Sequence, residues 1–138
     1  MSYISTVSEI RAAATAALNG QGRFDHGRHV DLSQKFDGEY PFIFLYPITI
    51  ANPDSPGFID RNNIMIGFWK EDRPDSSTIE REQSIAEMDA LSDLFLSALD
   101  EQPKARITSI RKEPQYQMYQ GTVSGFAISF TYENYDAC

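Results

Sequence analysis

The sequence predicts an α+β domain: a four-stranded, mostly antiparallel sheet with two helices packed on it, in the order helix, strand, strand, helix, strand, strand. Three observations carry that expectation. Two segments, 3–18 and 78–100, repeat apolar residues at spacings of three and four. Four others alternate apolar side chains with a period of two and are rich in β-branched and aromatic residues. Clusters of proline, glycine and asparagine punctuate the gaps between them. At 138 residues the chain is expected to form one domain, 1–138, long enough to bury a core without disulfide or metal staples.

The first helix is read over 3–18, YISTVSEIRAAATAAL, where Ile4, Val7, Ile10, Ala14 and Leu18 share a face and the alanines favour helix. Asn19-Gly20 ends it as a C-terminal cap. Residues 21–39 have no period, three glycines and scattered charge, and are expected to be a long loop. Tyr40 to Ala51, YPFIFLYPITIA, is the first strand, with Phe42, Phe44, Tyr46, Ile48 and Ile50 on one face and Ile43 and Leu45 on the other. Such a strand is covered on both sides, at least over its first half. A second loop follows at 52–61, and Asn63 to Lys70 makes the next strand, with Ile64, Ile66 and Phe68 opposite Met65 and Trp69.

Ser77-Thr78-Ile79-Glu80 has the spacing of a capping box, so a helix is expected from there to about Asp100, stopped by Pro103. Its buried stripe is Ile85, Met88, Leu91, Phe95 and Leu99; Asp89, Asp93 and Asp100 form the polar face, with Leu96 at the border. Arg106 to Glu113 is the third strand, interrupted by a bulge at Pro114, and Thr122 to Tyr132 the fourth, packing through Phe126, Ile128, Phe130 and Tyr132.

The charge balance limits the chemistry. A net charge of −8 argues against a nucleic-acid grip, leaving DNA at most as passing cargo. No apolar run approaches the roughly 20 residues that span a bilayer, and the first residues do not resemble a signal peptide, so no membrane partner is expected. The single cysteine, Cys138, leaves no intramolecular disulfide to form. His26-x-x-His29, with Asp25 and Asp31 beside it, offers ligand types for a divalent metal, yet all four fall in one glycine-containing loop without cysteine or an HExxH helix. No G-x-S-x-G elbow and no phosphate-binding glycine loop occurs. The expectation is a protein without catalytic residues, metal or cofactor, with a small metal-dependent enzyme using His26 and His29 as the alternative.

Three features suggest protein–protein contact. The 21–39 loop carries Phe24 and Phe36 with His26 and His29; the 52–61 loop, NPDSPGFIDR, carries Phe58, Ile59 and Arg61 near its tip; Leu96 sits beside an acidic helix face. Apolar groups rimmed by charge are the composition of interfaces.

In size and element order the chain resembles the tail terminator proteins of long-tailed bacteriophages. The stretches that carry the resemblance are SEIRAAATAALNG, YPFIFLYPITIA, NNIMIGFWKED, STIEREQSIAEMDALSDLFLSALDE and ITSIRKEPQYQMYQGTVSGFAISFTYEN, which together span nearly the whole chain. The resemblance implies a homo-oligomeric, hexameric ring that caps the tail tube and joins it to the head-side connector or stopper protein. It implies a place in the virion tail or neck, with assembly in the bacterial host cytoplasm. Other neck, stopper or tail-completion proteins are the nearest alternatives, and a monomeric binding domain whose sheet recruits a peptide is a more distant one.

Overall fold

In chain order the elements are α1 (Tyr3–Leu18), β1 (Arg23–His26), β2 (Phe42–Leu45), β3 (Thr49–Ala51), β4 (Ile59–Glu71), α2 (Thr78–Asp100), β5 (Ala105–Gln117) and β6 (Val123–Tyr135). They come from a computed structural model that describes residues 3–27, 40–51, 59–72, 77–103, 105–117 and 123–135.

The alternating apolar residues of β4 and β6 make two thirteen-residue strands that pair antiparallel along their whole length, from Ile59↔Tyr135 to Glu71↔Val123. Around this pair the sheet runs β1-β2-β4-β6-β5, with β3 beside the first half of β4. The sheet is therefore six-stranded and mixed, not the four-stranded, mostly antiparallel sheet that the sequence predicts. Two local events account for the difference. Within the expected 21–39 loop, Arg23–His26 extends and pairs parallel to β2, from Arg23↔Phe42 to His26↔Leu45. Gly22 makes this approach possible: it has a φ of +72°, and a Cβ there would lie 1.9 Å from the carbonyl oxygen of Pro41.

The second event splits the predicted 40–51 strand. Leu45 pairs with Ile66 and Thr49 with Asn63, so β2 and β3 spend one more residue than β4 between these two pairs. The extra residue falls around Pro47, which has no N–H to give the ladder. It reverses the facing of everything after it. Ile48 thus packs against the helix-side core instead of continuing the face of Phe42, Phe44 and Tyr46. Of the loop expected at 52–61, Ile59 to Arg61 belong to β4, and 52–58 lie outside the described residues.

Pro114 does not interrupt β5. It pairs with Phe126 in a strand that continues to Gln117, and the irregularity lies upstream, between Thr108 and Arg111, where Ser109 takes a φ of +56°. β5 is an edge strand, so a proline without an N–H can leave its outward side unpaired at no loss to the ladder.

Both helices lie on one side of the sheet and share one core. Val7, Ile10, Ala13 and Ala14 of α1 and Met88, Leu91, Phe95 and Leu99 of α2 meet Ile43, Leu45, Ile64, Ile66, Phe68, Ile128, Phe130 and Tyr132. Phe95 stands with its ring 5.6 Å from that of Phe68 and 6.3 Å from that of Phe130. The α2 start is fixed by the Ser77 side chain, which accepts from the Glu80 N–H at 3.1 Å.

Polar ties lock the helices to the sheet. The buried Asp72 carboxylate accepts from Arg81 of α2 at 2.7 and 3.2 Å and from the Ser124 hydroxyl at 2.5 Å, and these bonds hold the Arg81 guanidinium above its ordinary pKa. The Tyr132 hydroxyl donates to Glu9 of α1 at 2.9 Å; burial first, then the neighbouring carboxylate, raise its pKa far above the usual phenol value. Among the described residues no helix is long and apolar enough to cross a membrane.

Candidate functional site

The side of the sheet away from the helices falls into two halves. Because paired residues on antiparallel strands share a face, the registers define its rows. At one end Trp69 lies between Phe42 and Gly125, and Gly67 between Phe44 and Ala127. Phe42, Phe44, Tyr46, Trp69 and Val123 form a second, smaller buried cluster there. The rings of Phe42, Phe44 and Tyr46 meet edge to face, at 5.9 and 5.1 Å, and the Arg23 guanidinium lies 4.4 Å from the Phe42 ring centre. Gly67 leaves the room that the Trp69 indole occupies: a Cβ at Gly67 would come within 2.4 Å of the indole nitrogen.

The other half is open. Its rows are Met65–Ser129–Arg111, Asn63–Thr131–Thr108 and Arg61–Glu133–Arg106. Met65 is 44 % exposed, and Arg61, Asn63, Arg106 and Arg111 are exposed as well. Glu133 lies between Arg61 and Arg106 in its row and accepts from Arg106 at 3.0 Å. Met65, Ala127 and Ser129 floor a depression of about 150 Å³, with Arg111 and Glu113 on its rim. This is a shallow apolar floor with a polar rim, the build of a contact surface rather than of a catalytic cleft.

The opposite outer surface is that of α2. Counting 100° per residue, Leu94 lies about 120° from the centre of the buried stripe, and it is 58 % exposed. Ala86, Ala90 and Ser97 are exposed on the same side. Carboxylates surround this strip: Thr78–Glu101 holds seven of them against one basic residue, Arg81. Two lysines from the sheet reach its flanks, Lys70 to Glu87 and Lys112 to Asp89 and Asp93. For Lys112 burial is the largest influence and pulls the pKa down, but the two aspartates together outweigh it and leave the ammonium raised.

The residues picked out from sequence are scattered over this framework. Phe24 sits in β1, partly buried against the helix-side core, with the Arg11 guanidinium 5.6 Å from its ring centre. Leu96 is likewise partly buried against that core, being about 80° from the stripe centre where Leu94 is about 120°. His26 ends β1 and pairs with Leu45, and its N–H donates to the Asp25 carboxylate at 2.8 Å. Asp25 and His26 are consecutive strand residues, so their side chains leave on opposite faces and do not converge as ligands. Arg61 is exposed on the open half of the sheet. Ile59 opens β4, its side chain outside the described residues, and His29, Phe36 and Phe58 lie outside them altogether. No group of three or more His, Cys, Asp or Glu able to hold a metal occurs among the described residues.

Arg106, Arg111, Met65 and Leu94 were not singled out. Leu94 was within reach of the helical period, because it is a large apolar residue about 120° from the centre of the Ile85–Leu99 stripe. The arginine rows could not be read, since they need the register of β5 on β6, which the irregularity at Ser109 displaces. No protein-family model matches the chain, and no curated protein matches it in sequence.

Proposed function

We propose that this chain is a structural subunit of a bacteriophage tail, a tail-terminator-like protein that assembles into a hexameric ring, caps the tail tube and meets the head-side connector or stopper. The observation that carries an assembly role is the open half of the sheet. A domain with a complete core on the helix side leaves Met65, Arg61, Arg106 and Arg111 exposed over a shallow apolar floor, on a rigid surface built from two fully paired thirteen-residue strands. Surfaces of this kind serve protein contact. The ring, the tube and the connector come from the resemblance in size and in the element order read from the sequence; the acidic balance of the chain suits a ring through which DNA passes without being held.

The test has two arms. The purified chain at rising concentration should reach a mass several times its 15.6 kDa by light scattering, with six copies as the expected limit. Particles assembled without it should carry tails of uncontrolled length or lack joined heads. A chain that stays at the mass of one copy and is absent from purified particles overturns the proposal.

A further inference from the structure

The two exposed surfaces described above lie on opposite sides of the molecule and are complementary in charge and relief. The open half of the sheet carries three exposed arginines against two carboxylates, with Arg61 and Arg106 flanking the nearly buried Glu133 and Arg111 standing beside Glu113 on the rim of the depression. The outer strip of α2 carries Leu94 among carboxylates, with small neighbours at Ala86, Ala90 and Ser97. A large apolar side chain that projects from one surface faces, on the other, a depression of about 150 Å³ floored by Met65, Ala127 and Ser129.

We infer that the occupant of the open sheet half is a second copy of this chain, presenting the outer strip of its α2. Leu94 of one copy seats beside Met65 of the next, and Arg111 faces the carboxylates that flank Leu94. The contact joins two different surfaces, so each copy keeps one of each free for a further neighbour. Such head-to-tail contacts close into a ring or run on as a filament, never stopping at a two-fold dimer. Charge supplies orientation: sheet on sheet would oppose arginines, and helix on helix would oppose carboxylates, so the mixed contact is the favoured one. The inference deepens the ring proposed above by naming the surfaces that would form it.

The experiment uses the full chain with Cys138→Ser as background, so that each further cysteine is unique. Leu94→Cys and Met65→Cys are made separately; both positions are exposed, and circular dichroism checks that the fold is retained. Under mild oxidation, a mixture of the two chains should give a disulfide-linked dimer, whereas each chain alone should give none. In parallel, Leu94→Asp and Arg111→Glu should each return the assembly to the mass of one chain, and added salt should weaken the unmodified assembly. An assembly of undiminished mass without the mixed cross-link overturns this contact while the ring proposal stands. Cross-linking of either single-cysteine chain with itself overturns it too, because that outcome requires like surfaces to meet. A chain that remains a single copy at every concentration removes both.

Discussion

On the helix side of the sheet, Ile43, Leu45, Ile64, Ile66, Phe68, Ile128 and Phe130 are almost wholly buried under α1 and α2; on the other side, burial stops halfway along the same strands, between Gly67 and Met65. The strands do not differ between the two sides; what their neighbours contribute does. Beside Gly67 and Trp69, β2 supplies Phe44 and Phe42, whereas beside Asn63 and Arg61, β3 supplies Thr49 and Ala51. The boundary coincides with the irregularity at Pro47, where the extra residue turns the large side chain of Ile48 to the helix side. One inserted residue thus divides a two-sided core from an open surface. The lesson is that an exposed sheet face can arise from register as much as from polarity.

That comparison is open to direct attack, and the largest effect is expected on the helix side. Phe95→Ala removes a fully buried ring between Phe68 and Phe130, and should lower unfolding free energy by about 3–5 kcal/mol, read from denaturant unfolding. If the loss is below about 1 kcal/mol, the helix layer is not the main core.

The next effect tests the closed half of the opposite face. Gly67→Ala places a methyl group where the Trp69 indole lies, and the clash should cost about 1–3 kcal/mol. Trp69 is the chain's one tryptophan, so its fluorescence reports the displacement directly. Emission should shift to the red as the ring loses its dry seat between Phe42 and Gly125. Unchanged emission with unchanged stability would mean that the aromatic cluster tolerates the extra volume and that Gly67 is not its keystone.

The two halves also differ in how far the sequence discloses them. Helical periods placed α1 at Tyr3–Leu18 and the stripe Ile85, Met88, Leu91, Phe95 and Leu99 on α2, and the serine-glutamate spacing located the cap at Ser77. These are local signals, in which side chains three or four residues apart decide the outcome. The alternation in 123–132 likewise placed Phe126, Ile128, Phe130 and Tyr132 on the helix side. What escaped is non-local. Whether RFDH at 23–26 remains a loop or adds to an edge depends on the backbone of Phe42–Leu45, a partner nineteen residues away in the register. Equally, the period of two in YPFIFLYPITIA gives no sign of the residue inserted against β4, because Ile48 and Ile50 are apolar on either face. Burial of single residues is non-local in the same way: Phe24 and Leu96 look exposable in sequence but are partly buried against core neighbours in space.

A smaller effect is expected where α1 is tied to the sheet. Tyr132→Phe deletes the hydrogen bond to Glu9 while keeping the ring, and should cost about 1 kcal/mol, since the partly exposed Glu9 regains water. Its pH signature has a definite sign. The folded protein holds the phenol neutral to a higher pH than the unfolded chain does, so this contribution is complete below about pH 10 and is lost as pH rises beyond it. The unmodified protein should therefore lose stability above about pH 10, and Tyr132→Phe should show less of that loss. Equal alkaline slopes for the two proteins would break the assignment.

The smallest effect belongs to the exposed rim, where ion pairs are screened. Lys112 reaches Asp89 and Asp93 of α2 and lies 5.4 Å from the Phe126 ring centre, so three favourable contacts converge on one ammonium. Two of its partners are well exposed, however, and water and salt discount such pairs heavily. Lys112→Ala should therefore cost under about 1 kcal/mol, and the difference from the unmodified protein should shrink further in high salt. Loss of this cation also leaves Asp89 and Asp93 uncompensated beside Leu94, making the outer strip of α2 more acidic. If arginines of a second copy are what that strip meets, Lys112→Ala should strengthen assembly even as it slightly weakens the fold. Measured by light scattering at low salt, a weakened assembly would instead mean that Lys112 acts by positioning the helix face, and that charge on α2 does not set the contact.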